Sequence, residues 1–220
     1  MSNSEQYVPP GRILRYRFPE RLNHWIASFS YIYLLLTGLA FWSPWLFWLA
    51  VILGGAPVSR MLHPWVGLIF VAAVLQMYSM WASQMHTTEV DKVWWRSIRF
   101  YVQNKDDKMP PAGKYNAGQK ILFWTFLWSG ILLLLTGLIL WFPEYIPWNL
   151  RFLRLAAVFV HPAVALITIG NFLIHIYMSV FAERGALDSM VHGDVSKEFV
   201  ARYHPGWYKE VTGETPPHRE

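Results

Sequence analysis

The chain has 220 residues, of which 54% are hydrophobic, 17% aromatic and 15% charged, with 13 Trp and no Cys. A soluble domain averages about 25% charged residues, so this composition describes a multi-span membrane protein of a single domain. The missing cysteine excludes disulfides, Cys-ligated zinc and Cys-ligated iron–sulfur clusters. The net charge of +5 is no signature of nucleic-acid binding, because the basic residues sort by topology, as shown below.

Residues 1–23 form a polar arm with Pro9, Pro10 and four arginines. It has no apolar core, so no cleavable signal peptide is expected. Four segments are long and apolar enough to span a bilayer, at about 24–42, 63–81, 121–142 and 153–181. The eleven residues WLFWLAVILGG (45–55) are too short to cross and are predicted to lie at the interface. Residues 82–120 form a polar loop whose end, KDDKMPPAGKYNAGQK, is expected to be exposed. After residue 181 comes a hydrophilic tail, 182–220, whose last stretch TGETPPHRE is expected to be disordered.

Lys and Arg divide sharply among these segments. The arm, the loop 82–120 and the tail carry sixteen of the 19, and the two other loops carry three. The positive-inside rule then places both termini in the cytoplasm. The reading is an all-α, integral membrane four-helix bundle with both termini cytoplasmic. The 24–181 segment forms the transmembrane domain, flanked by the arm and the tail.

An internal repeat supports the bundle. LLLTGLAFW (34–42) is echoed by LLLTGLILW (133–141), and HPWVGLI (63–69) by HPAVALI (161–167), at offsets of 99 and 98 residues. Helix pair one–two therefore resembles helix pair three–four, with approximate two-fold symmetry along the membrane normal.

The fourth span, FVHPAVALITIGNFLIHIYMSVF (159–181), has no charged residue but carries His161 and His175. Fourteen residues of helix separate them by ~21 Å, and within about 40° of one face. Each imidazole thus lies near one edge of the hydrocarbon layer. A lone intramembrane histidine is more often a helix contact than a ligand, yet partners exist at both depths. His63 opens the second span at the outer edge, level with His161. His24 opens the first span at the cytoplasmic edge, level with His175.

Two imidazole pairs at two depths are what two six-coordinate haems require. No carboxylate or third His joins either pair, as a zinc site would need, and no Cys-x-x-Cys-His motif offers covalent attachment. The expected cofactors are two non-covalent, bis-His haem b groups. His86 competes with His24 for His175, since it lies ~34 Å beyond His63 along the same helix, past the ~30 Å hydrocarbon core. Gly38, Gly67, Gly137 and Gly170 either let a porphyrin lie against the backbone or mark helix crossings.

Several of these stretches together resemble one family. They are Arg21–Trp25 at the start of the first helix, RMLHPWVG (60–67), KYNAGQK (114–120), VHPAVALI (160–167), LIHIYM (173–178) and HPGWYKE (204–210). From about Arg15 to Glu210 the chain is similar to the gamma subunit of membrane-bound respiratory formate dehydrogenase, a dihaem cytochrome b. The resemblance implies that His24 and His175 ligate the cytoplasmic-side haem iron, and His63 and His161 the periplasmic-side one. It also implies a quinone site formed by Asn116, Gly118, Gln119 and His175.

Its partners would be an iron–sulfur beta subunit and a molybdenum- or tungsten-containing alpha subunit that oxidises formate. Electrons would pass from the beta subunit through the two haems to quinone on the cytoplasmic side, making this the quinone-reducing subunit of the enzyme. From the residues themselves, Asn116 also reads as the N-cap of the third span. A dihaem cytochrome b of a nickel–iron hydrogenase, or of another periplasmic oxidoreductase, shares the histidine logic. KYNAGQK and HPGWYKE weigh against it. A haem-free transporter or assembly protein is the reading from another class, and a reduced b-type spectrum excludes it.

Overall fold

A computed structural model describes residues 7–103 and 105–217. The first six residues of the arm and the last three of TGETPPHRE lie outside the described residues. In chain order the elements are β1 (Arg12–Leu14), α1 (Phe18–Trp42), α2 (Trp48–Ile52), α3 (Ala56–Trp81), α4 (Glu89–Arg96), α5 (Ile98–Val102) and α6 (Ala117–Trp141). Then follow α7 (Phe152–Ile176), α8 (Asp188–Val191), β2 (Asp194–Ser196), α9 (Lys197–Tyr203) and α10 (Pro205–Thr212). Four helices are long and apolar enough to cross a membrane: α1, α3, α6 and α7, the last continuing as a π-helix over Tyr177–Ala182. The protein is a multi-pass, helical membrane protein. Each long helix starts before the apolar run that marks its span, because the helical hydrogen-bond ladder continues past the part facing lipid.

The chain divides into two compact units. The apolar unit comprises Leu22–Met80 and Trp124–Leu173. Its core joins Ala27 and Tyr31 of α1 to Phe70, Val71, Ala73 and Val74 of α3 and Leu127 of α6. Tyr31 is the central contact. Its ring packs against Phe70, Phe126 and Phe172, with centroids 5.7, 5.5 and 5.1 Å away. Its hydroxyl donates to Thr168 Oγ1 at 3.1 Å. One residue of α1 thereby touches all three other long helices. The Asn23 amide donates to the Ala73 carbonyl at 2.9 Å. Such bonds supply specificity where lipid offers no hydrophobic drive between helices.

The polar unit comprises Met1–Arg21, Trp81–Phe123 and Ile174–Glu220. Here β1 pairs antiparallel with β2 in the register Arg12↔Ser196, Ile13↔Val195 and Leu14↔Asp194. This ribbon is the only departure from helix among the described elements, and it joins the arm to the tail. Arg12 pairs with Asp194 and with Asp188. Beneath the ribbon, Val195, Phe199, Val200, Ala201, Trp207 and Tyr208 form a second core, with Ile13 against it. Ser196 caps α9 through a bond from the Phe199 amide at 3.1 Å.

Two expectations need correcting. The stretch ending in KYNAGQK is not exposed throughout, since Ala112, Tyr115, Asn116 and Ala117 are buried under the arm and tail. The start of TGETPPHRE is fixed too. Thr212 closes α10, Gly213 follows in the left-handed conformation at φ 74°, and Glu214 accepts from the Tyr208 hydroxyl at 3.1 Å.

Candidate functional site

Within the apolar unit the repeat becomes a piece of paired geometry. His63, at the start of the third turn of α3, and His161, in α7, face each other with ring centroids 6.5 Å apart. Each is followed inside its helix by a proline, Pro64 or Pro162, which removes a backbone donor at equivalent positions. The Thr37 hydroxyl lies 2.7 Å from His63 Nδ1 and 2.8 Å from the Tyr33 carbonyl oxygen. The Thr136 hydroxyl lies 2.9 Å from His161 Nδ1 and 2.7 Å from the Leu132 carbonyl oxygen.

The direction of these bonds sets the tautomer. A hydroxyl has one proton to donate, and in both cases the carbonyl of the same helix accepts it. Each threonine therefore accepts an Nδ1–H from its histidine, leaving Nε2 as the unprotonated nitrogen. Fixing a ligand imidazole through its other nitrogen is how a protein prepares a metal ligand. Thr37 and Thr136 were missed as site residues in the sequence, although the repeated LLLTGL carries them both.

The residues fit a haem. A metal–imidazole nitrogen bond is about 2 Å and the ring centre lies roughly 1 Å beyond, so two imidazoles sharing one ion have centres about 6 Å apart. The observed 6.5 Å matches this spacing. Glycine lies beside each ring: a Cβ on Gly137 would crowd His161 Cε1 at 3.3 Å, whereas one on Gly38 would make an ordinary contact with His63 Cε1 at 3.8 Å. Gly67 instead meets Leu34, and Gly170 faces open space. Buried donors of this unit that have no hydrogen-bond partner among the described residues include the Tyr33 and Ser59 hydroxyls and the Asn171 amide nitrogen. Each calls for an acceptor.

The other pair is distributed differently. His24 lies in the second turn of α1 and belongs to the apolar unit, its carbonyl accepting from Ser28. His175 is the penultimate residue of α7 and belongs to the polar unit. Both are half-buried, whereas His86 is exposed. His86 is not on the second long helix at all, because α3 ends at Trp81. Its carbonyl accepts from Lys120 Nζ at 3.0 Å.

Asn116 is 4% exposed and caps α6. Its Oδ1 accepts from the Gln119 amide at 2.9 Å, and Gln119 Oε1 accepts from the Asn116 amide at 3.1 Å. This reciprocal pairing is a capping box. It occupies the carbonyl oxygens and leaves the two side-chain NH2 groups as the donors a carbonyl ligand would need. Gly118 packs against the Trp94 ring, where a Cβ would come to 3.4 Å. Lys120 pairs with Asp91 at 2.6 Å in a buried ion pair. Burial alone would raise the Asp91 carboxyl, but hydrogen bonds from Lys120 and Thr88 outweigh it and hold it below the usual range. Burial also pulls the Lys114 ammonium down and pushes the Tyr115 phenol up.

Two oriented imidazoles facing each other within a helical membrane unit are an arrangement suited to a metal-centred group. The comparisons agree. A family model described as prokaryotic cytochrome b561 matches residues 15–193. The chain is 34% identical over 200 residues to the formate dehydrogenase cytochrome b556(fdo) subunit of Escherichia coli, covering 90% of this chain and 93% of that one. It is 32% identical over 202 residues to the nitrate-inducible formate dehydrogenase cytochrome b556(Fdn) subunit of the same species, covering 90% and 91%. To the formate dehydrogenase cytochrome b556 subunit of Haemophilus influenzae it is 32% identical over 202 residues, covering 90% and 83%. This chain belongs to the prokaryotic cytochrome b561 family, and is thus a membrane cytochrome b.

Proposed function

We propose that the chain is the membrane cytochrome b subunit of a formate dehydrogenase complex, delivering electrons from a partner iron–sulfur subunit to quinone. The observation that carries this is the His63–His161 pair with both Nδ1 atoms held by Thr37 and Thr136. Similarity to formate dehydrogenase subunits over 90% of the chain supports the choice of complex.

Two haem b groups, supplying one-electron transfer when bound, would be held by His63 with His161 and by His24 with His175. The chain's own residues orient the imidazoles and exclude water with apolar helix faces. Asn116, Gly118, Gln119 and His175 would form the quinone site, with the Asn116 and Gln119 amides offering donors to a quinone carbonyl. The sixteen-to-three division of Lys and Arg supports cytoplasmic termini in the inner membrane. Formate oxidation would sit in a partner subunit containing molybdenum or tungsten.

Haem quantitation on the complex co-purified with its partners is the test. Acid–acetone extraction followed by a pyridine haemochrome assay is expected to give about two non-covalent haem b per chain, one for each bis-His pair. A ratio near one, or haem that stays with the polypeptide, would overturn the two-pair reading.

A further inference from the structure

The stretch HPGWYKE (204–210) holds none of the four histidines proposed as ligands, yet it contains the largest fully buried side chain of the polar unit. His204 is 0% exposed. Its Nδ1 lies 2.8 Å from the Gly113 carbonyl oxygen and must carry the proton that bond needs. Its Nε2 then accepts from the Arg15 guanidinium at 3.0 Å. The other arm of Arg15 donates to the Lys114 carbonyl at 2.9 Å. Two residues on, the Gly206 and Trp207 amides reach the Ala112 carbonyl at 2.9 and 3.3 Å. The carbonyls of three consecutive residues, 112 to 114, are therefore held by the arm and the tail.

The grip is tight as well as polar. A Cβ on Gly206 would stand 2.8 Å from the Pro111 oxygen and 2.9 Å from the Ala112 oxygen, so only glycine fits there. The Arg15 guanidinium sits among the rings of Tyr16, Tyr115, Phe199 and Trp207. Two residues past the held carbonyls comes Asn116. It lines a small crevice with Trp94, Tyr101, Ala112, Tyr203 and Pro205, the last two from the tail.

We propose that Arg15, His204 and Gly206 are positioning residues for the quinone site. They clamp residues 111–114 and thereby fix where Asn116 and Gln119 present their amide donors. This rests on the assignment of the acceptor site to Asn116. The reason is entropic. Ordering a free loop costs conformational entropy at every residue fixed, and a loop already held spares the ligand that cost. A loosened clamp should weaken quinone binding without touching the haem ligands or the turnover of bound quinone.

The test uses the complex with its partner subunits, and decylubiquinone or menadione as the acceptor. Gly206→Ala forces the loop away, and His204→Asn removes the acceptor for Arg15. His204→Asn is expected to raise KM for the quinone about tenfold, as loss of a hydrogen bond to a charged group does, and Gly206→Ala to raise it in the same direction, with kcat and the formate-reduced haem spectrum at parental values. Asn116→Ala should raise KM as well. If Asn116→Ala does so while Gly206→Ala and His204→Asn stay parental, the clamp proposal falls and the acceptor site stands. If Asn116→Ala is itself parental, the acceptor site is wrong and the clamp has nothing to position. Hydrogen exchange on the unaltered complex decides should a variant not assemble. Slow exchange at the Gly206 and Trp207 amides supports the clamp, and fast exchange there overturns it.

Discussion

The two units solve the same problem, tying together segments far apart in sequence, with different chemistry. In the apolar unit the ties are bonds between uncharged groups: Asn23 to Ala73, Tyr31 to Thr168, Thr37 to His63 and Thr136 to His161. In the polar unit they include all the ion pairs found among the described residues, from Arg12–Asp194 to Lys120–Asp91. The solvent explains the difference. A charge inside hydrocarbon is expensive, whereas the edges of the spans can hold charge if it is paired. In the apolar unit each polar side chain is therefore a strong pointer to function, while in the polar unit only burial separates an important charge from a decorative one.

The largest effect should come from removing a ligand. His161→Ala is expected to bring the haem content of the complex from about two per chain to about one, since a bis-His iron needs both imidazoles. Haemochrome assay of the purified variant checks this, and an unchanged ratio would separate His161 from haem binding altogether.

Breaking the buried pair of the polar unit should cost less than a cofactor but more than any surface pair. Asp91→Asn leaves the Lys120 ammonium without its carboxylate at a site where the two side chains are 11% and 6% exposed. The expected loss is about 3 kcal/mol in the opening free energy of α4 amides, measured by hydrogen exchange. Glu89→Gln, which breaks the 85%- and 58%-exposed Lys92 pair on the same helix, should change that value by about 0.5 kcal/mol or less. Equal effects would mean that burial does not rank these charges.

Orientation of the ligands is worth less than the ligands. Thr136→Val keeps shape but removes the acceptor for His161 Nδ1. It should retain haem on purification and lose it about tenfold more readily on dilution in detergent, the lower end of what such supporting bonds contribute. Thr37→Val should behave alike, because the two sites are copies. A variant without effect would break the symmetry read from the repeat.

Acid should loosen the polar unit first. Burial, and then the positive charge of Arg15, hold the His204 imidazole well below its ordinary value. The unfolded tail thus binds a proton that the folded one does not, so stability from this group is present above about pH 6.5 and falls as pH drops below it. Asp91, held below the usual carboxylate range, adds a second loss only in stronger acid. Hydrogen exchange at Gly206 and Trp207, corrected for intrinsic rates, should speed up between neutral pH and mild acid, with the Tyr31 region unchanged. The reverse order would contradict the assignment of buried charge to the polar unit.

Much of this protein was legible in the chain itself. The four spans and the histidines at their edges follow from hydropathy and helical spacing, because lipid demands long apolar helices and tolerates few titratable groups. The repeat likewise foretold that His63 and His161 would be equivalent. The capping box at Asn116 is a local matter, settled by residues three apart. Tertiary structure alone decided that Thr37 and Thr136 turn the imidazoles, since a threonine in a Leu-rich run has many uses. It alone decided that RIL and DVS, three-residue stretches too short to show any period, pair as strands. It alone brought Arg15 to His204, 189 residues apart. Local pattern records what each segment needs from its solvent. Which distant carbonyl receives a buried guanidinium or imidazole is set only when the chain closes on itself and every buried donor must find a partner.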